Sequence, residues 1–174
     1  PAGLWEASGT GKSYSQDHGD KLYRRSLYTF WRRTAPPPSM LTFDALTREV
    51  CTAKRETTTT PLQALVLMND PQFMETARVL GERLLREYPA DVDARTRDAF
   101  RSLTGRLPDE KELAVLRQLF DDQKNFYAKE AGAADKLLAT GESKRDDALP
   151  RADFAATTML VSAIMNFDEF IMVR

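Results

Sequence analysis

One cysteine, one histidine and two tryptophans are all that these 174 residues contain of those three types. With Cys51 alone no internal disulfide can form, and a single thiol suits either redox compartment. The absence of a Cys-x-x-Cys-His run excludes covalent attachment of a c-type haem to this segment. A sole histidine without paired cysteines falls short of the three or four ligands that zinc sites take. Long hydrophobic runs are missing too. The uncharged stretch 154–167 is 14 residues long, below the ~20 that a membrane-spanning helix needs. No alternating polar–apolar run is long enough for a strand, no internal repeat is present, and no signal peptide opens the chain. It starts at Pro1 rather than Met, which reads as a fragment or a processed product.

Neither sign of charge dominates: 25 Lys and Arg against 26 Asp and Glu give a net charge of −1. Residues 1–60 carry nine basic and six acidic side chains, and residues 61–174 carry sixteen and twenty. Such a balance is too mild for nucleic-acid binding by bulk electrostatics, and leaves room only for a local anion site. The apolar fraction of 42% and charged fraction of 29% are those of a globular domain. A chain of this length buries roughly 70% of its unfolded surface, so it needs no metal or disulfide for stability.

Along the chain, residues 1–20 read as an arm with Leu4 and Trp5 as anchors, and residues 21–174 as one helical domain. A first helix is expected over about 21–34, where Tyr23, Leu27, Phe30, Trp31 and Thr34 fall on one side at helical spacing, and it is stopped by Pro36, Pro37 and Pro38. A long proline-led loop follows to Thr60, ordered through Met40, Leu41, Phe43 and Val50. Thr60, Pro61 and Gln63 form a capping box with proline at the first helical position. Asn69-Asp70-Pro71 ends that helix and caps the next, which spans about 71–88 with Phe73, Ala77, Leu80, Leu84 and Tyr88 on one stripe. Another helix covers about 93–104 and closes at Gly105. Asp109 with Glu112 opens one reaching about 130, and a shorter one is expected near 133–139. The final helix, about 152–172, is apolar nearly all round, with a narrow polar stripe of Thr158, Ser162, Asn166 and Glu169. That pattern marks a central helix. The fold expected is therefore all-α, an irregular bundle with a long ordered loop.

Several motifs invite a chemical reading. SGTGKS at 8–13 spells most of a phosphate loop, but Glu6 stands where the first glycine is required, and neither a strand nor a helix flanks it. It reads as a flexible loop. His18 beside Asp17 reads as a loop histidine rather than a base or a ligand. Cys51 reads as a small buried residue. Four arginines, Arg24, Arg25, Arg32 and Arg33, fall within ten residues without an acid among them. Guanidinium forks bind carboxylate, phosphate or sulfate in a bidentate manner. The favoured reading is that they pair with Asp44, Glu49 or Glu56 and hold the loop down. The alternative is an anion site, and the ligand best matched to such a row is an anionic polysaccharide.

Three stretches, 17–56 (DHGDKLYRRSLYTFWRRTAPPPSMLTFDALTREVCTAKRE), 60–78 (TPLQALVLMNDPQFMETAR) and the NFDEF at 166–170, resemble one bacterial family. It is the C-terminal domain of unknown function of large planctomycete-type proteins that carry cytochrome-c-like modules. The resemblance implies an exported parent, periplasmic or at the cell surface, with a haem module and another uncharacterised domain upstream. Its expected partners are then the upstream domains of its own chain. It implies no catalytic residue and no cofactor in this segment. In the family pattern Arg and Asn are usual where Thr57 and Thr59 stand. The function expected is a non-catalytic structural or ligand-binding domain. The rival is half of a composite site for carbohydrate processing or redox chemistry, drawing on Asp17, His18, Asp44, Arg48, Glu49, Arg55 and Glu56.

Overall fold

The computed structural model describes residue 6 and residues 15–32, 34–54 and 56–172. Within them every regular element is a helix, and the lone β-bridge pairs Arg32 with Ala35. The protein is all-α. The chain divides into two compact units, 1–63 and 64–174, taken in turn below.

In the first unit the helix expected over 21–34 is absent. Two short 3₁₀ turns, Gly19–Tyr23 and Ser26–Tyr28, take its place. Arg24 and Thr29, which close them, are extended with ψ of 151° and 134°. The physical reason lies in the side chains. Tyr, Phe, Trp and Thr lose χ1 freedom against a preceding helical turn, and Ser26 competes for backbone hydrogen bonds. Even spacing of apolar residues did not outweigh that local preference. The proline-led segment is irregular as expected, except for one short helix, α1 (Pro38–Thr42), that starts from the proline triplet.

The next helix, α2 (Pro61–Asn69), begins where the capping box places it. The Gln63 amide donates to Thr60 Oγ1 at 3.3 Å, and the Thr60 amide donates to Gln63 Oε1 at 3.0 Å. Gln63 is buried, and its Nε2 also donates to the Thr42 carbonyl at 2.9 Å and to Thr58 Oγ1 at 3.3 Å. One glutamine thus ties the end of α1, the loop and the start of α2 together. Replacing Thr60 with Ala should cost about 1 kcal/mol through the lost cap. A denaturation midpoint indistinguishable from wild type would show that the cap contributes nothing.

The second unit holds α3 (Pro71–Glu87), α4 (Val92–Thr104), α5 (Glu110–Lys129), α6 (Ala131–Leu138), α7 (Arg151–Ile164) and α8 (Asp168–Ile171). Their starts follow the sequence signals. Asp70 accepts from the Gln72 amide at 2.9 Å, and Asp91 from the Ala94 amide at 2.9 Å. Asp109 and Glu112 form the reciprocal box at 2.7 and 2.8 Å. Gly105 ends α4 at φ 79°, a left-handed position that suits glycine.

Helix α7 is the central element and packs on α3, α4, α5 and α6. Its Leu160, Val161 and Ile164 join Ala77, Leu84, Phe100, Leu116 and Phe120 in one cluster. Its Phe154 and Ala155 join Leu85, Tyr127, Ala134 and Leu138 in another. The polar stripe of the last helix is mostly enclosed rather than wet. Thr158 bonds back to the Phe154 carbonyl at 2.9 Å, and Ser162 lies 3.6 Å from Met74 Sδ. At Gly81 of α3 a Cβ would come within 3.3 Å of the Thr158 amide nitrogen, so glycine permits the close approach of α3 and α7. The expected single helix to 172 is interrupted after Ile164. Phe167 there turns edge-on to Phe100, with ring centroids 5.2 Å apart. The Asn166 side chain donates to the Ser162 carbonyl at 2.9 Å, the acceptor its own amide would use if the helix went on, and that amide turns to the Ala163 carbonyl at 3.1 Å.

Candidate functional site

The residues singled out by the sequence lie in the first unit, and the structure disperses their roles. Asp17 sits 3.8 Å from Lys21 Nζ, both exposed. His18 is exposed and precedes the first 3₁₀ turn. Arg24 and Arg25 are exposed, and among the described residues neither makes an ion pair with Asp44, Glu49 or Glu56. Arg32 is half-buried, its guanidinium 5.5 Å from the centre of the Phe30 ring. Without the helix over 21–34, the arginines form no row along one helical face. Arg33 and Arg55 lie outside the described residues, as does SGTGKS.

Asp44 turns out to be a latch for the loop. Its two carboxylate oxygens accept from the Thr58 amide at 2.7 Å and the Thr58 hydroxyl at 2.8 Å. The loop 44–58 is closed at its neck by this pair, with Gln63 bonded to the same hydroxyl. Asp44 adopts φ 59°, a left-handed conformation that aspartate tolerates better than most residues. Arg48 adopts φ 64°, and its guanidinium lies 4.7 Å from the Trp31 ring centre. That cation–π contact is worth about 0.5–1 kcal/mol at an exposed site, close to the local backbone cost of about 1–2 kcal/mol. Glu49 and Glu56 are exposed, and the Glu49 amide donates to Thr47 Oγ1 at 3.4 Å. Thr57 and Thr59 are exposed as well. Cys51 is also exposed, contrary to the expectation of a buried residue. It lies in an irregular stretch between exposed neighbours, where no apolar element covers it.

In the second unit two arginines missed by the sequence reading are fully buried. Arg95 donates to the Tyr88 carbonyl at 2.8 Å, the Pro89 carbonyl at 3.2 Å and Thr157 Oγ1 at 2.9 Å. Burial pushes its guanidinium below the ordinary arginine range, with Asp153 and Asp91 opposing that shift. Arg78 donates to the Thr140 carbonyl and to the carbonyl and hydroxyl of Ser143. Buried Glu75 accepts from the Ser143 amide and lies 3.7 Å from Arg78. These groups strap residues 140–143 onto α3. The signal was present in principle: Glu75 and Arg78 fall among Met74, Ala77 and Gly81, on the stripe that faces the core. Both are structural by their partners. Near the strap, Leu138, Arg145, Asp146, Arg151 and Phe154 enclose a hollow of about 20 Å³, room for one water.

A surface cluster binds α4, α5 and α8 together. Arg106 bonds Glu112 at 2.7 and 2.8 Å and Glu169 at 2.9 Å, and lies 4.7 Å from the Phe100 ring centre. The Arg106 bonds hold the Glu112 carboxyl down from 4.5 to about 2, the Asp109 amide adding to the shift. A carboxyl depressed on folding stabilises the protein above its unfolded value and loses that contribution as pH falls. The difference in thermal midpoint between wild type and Glu112→Gln should therefore be constant above pH 4.5 and shrink toward pH 2. A difference that does not vary with pH would contradict this.

Among the described residues no group of three or more His, Cys, Asp or Glu could hold a metal, and no helix is long and apolar enough to cross a membrane. What sets the first unit apart is exposed apolar surface. Of fourteen large apolar side chains exposed among the described residues, eight lie between Tyr23 and Leu62. Leu27, Tyr28 and Val50 are 75%, 68% and 72% exposed.

The fold and this surface define an all-α domain with a latched, irregular, aromatic-rich segment. Residues 5–120 match the family described as "PSD1: Protein of unknown function (DUF1553)", and the chain belongs to that family. No curated protein and no solved structure matches it.

Proposed function

We propose that this chain is a non-catalytic structural domain of a larger exported protein, seated on another domain of its parent through the segment 23–50. The observation that carries the reading is the concentration of exposed Leu27, Tyr28, Leu46 and Val50 in that segment. Isolated exposed apolar residues are ordinary, but seven in the 28 residues from Tyr23 to Val50 are what an interaction site leaves uncovered. The planctomycete-type parent with a cytochrome-c-like module is proposed from the family resemblance, as is its export. The parent's haem, not a group in this segment, would be the nearest cofactor.

Burying Leu27 and Tyr28 against a partner stabilises by about 1.5–3 kcal/mol each. A gain of that size raises a midpoint by roughly 2–4 °C per kcal/mol in a chain of this length. Calorimetry should place this domain's transition several degrees higher in the full-length gene product than in the isolated chain. Leu27→Ser with Tyr28→Ser should remove the difference and leave the isolated chain unchanged. Equal midpoints in the two contexts would refute the seating.

A second reading, anionic polysaccharide on Arg24 and Arg25, is favoured by the exposure of both guanidinium groups without an ion pair among the described residues. A composite site with Asp44 as an acid or base has less support, because Asp44 is committed to Thr58.

A further inference from the structure

Resting on the proposed seating, we infer that the partner surface is an acidic protein face with an apolar centre, read by Arg24, Arg25, Leu27 and Tyr28. From Leu22 to Phe43 the sequence has four arginines and no Asp, Glu or Lys. The segment's formal charge is thus +4, in a chain whose net charge is −1.

The local backbone presents the four residues together. Arg24 and Arg25 join the two 3₁₀ turns, and Leu27 and Tyr28 lie in the second, closed by the Tyr28 amide donating to the Arg25 carbonyl at 2.9 Å. All four side chains are exposed. The composition is that of an interface centre, where Tyr, Trp and Arg are enriched while Lys, Glu and Asp are depleted. A tyrosine and a leucine supply buried area, and the guanidinium forks supply direction. Complementarity of charge fixes the sign of the opposing face. Carboxylates there would take the forks in a bidentate manner, which lysine could not reproduce. A polysaccharide would use the arginines and leave Leu27 without an apolar partner, so the protein face is favoured.

The test compares backbone hydrogen exchange at residues 22–32 in the isolated chain and in the full-length gene product. Exchange there should be slower in the full-length protein by about tenfold or more. It should return to the isolated rate at 1 M salt, where the screening length is about 3 Å. Arg24→Glu with Arg25→Glu should abolish the protection, and Arg24→Lys with Arg25→Lys should weaken it only in part. The thermal midpoint of the isolated chain should be the same for all of them. Protection that survives charge reversal would overturn the acidic face and leave the seating standing. Protection absent in the unaltered protein, or a gene product no longer than this chain, would overturn both. Absent protection together with retention of the isolated chain on heparin at low salt would transfer the arginines to a sulfated polysaccharide.

Discussion

Cut after Phe120, where the family match ends, the chain should fail to fold. The match covers residues 5–120, yet the helix that completes the core, α7, spans Arg151–Ile164. Without it, the faces of α3, α4 and α5 that carry Ala77, Leu84, Phe100, Leu116 and Phe120 lose their central partner. The truncation removes Phe154, Leu160, Val161, Ile164 and Met165, each no more than 1% exposed. At about 1.5–3 kcal/mol for each large apolar side chain, their loss is on the order of 10 kcal/mol. Domains of this size have only about 5–15 kcal/mol of net stability. Circular dichroism of 1–120 should show reduced helix and no cooperative melting. A sharp thermal transition in the truncated chain would show that residues 121–174 are an appendage.

The second large effect is expected at Arg78. Arg78→Met keeps the length and the apolar stem but removes the donors that satisfy the Thr140 and Ser143 carbonyls. It also takes away the guanidinium that lies 3.7 Å from the carboxylate of Glu75, itself 3% exposed. Breaking a buried pair from one side costs about 3–5 kcal/mol, because an uncompensated charge remains. Adding Glu75→Gln should recover part of that loss, since the neutral amide can still accept from the Ser143 amide. The strap has little freedom to adjust. Gly141 holds φ 92°, and a Cβ there would fall 2.2 Å from Glu75 Cδ. Urea denaturation of the two variants gives the comparison. A double variant less stable than Arg78→Met alone would show that Glu75 does not depend on Arg78.

The helices of the second unit were legible because each start carries its own chemistry. Asp70, Asp91 and Asp109 accept the expected backbone amides, and the apolar stripes face α7. Over residues 21–34 the apolar spacing points to a helix that the structure replaces with two 3₁₀ turns. Tyr23, Leu27, Phe30 and Trp31 recur at helical intervals but do not serve a helix, and Tyr23 and Leu27 face solvent. The loop's order was expected from its apolar residues, yet the Asp44–Thr58 and Gln63 bonds that close it join positions too far apart to be read locally. Glu75, Arg78 and Arg95 went unnoticed for a related reason. Charged residues on a helix are normally read as its wet face, and only their partners in other elements mark these as core.

The seating of this domain is tested most directly by a structure of the full-length gene product. Leu27 and Tyr28 should lie buried beneath another domain, with Asp44 still bonded to Thr58. Finding both side chains in solvent, and Asp44 turned from Thr58 into a substrate-sized cleft shared with an upstream domain, would contradict it and make this chain half of an active site.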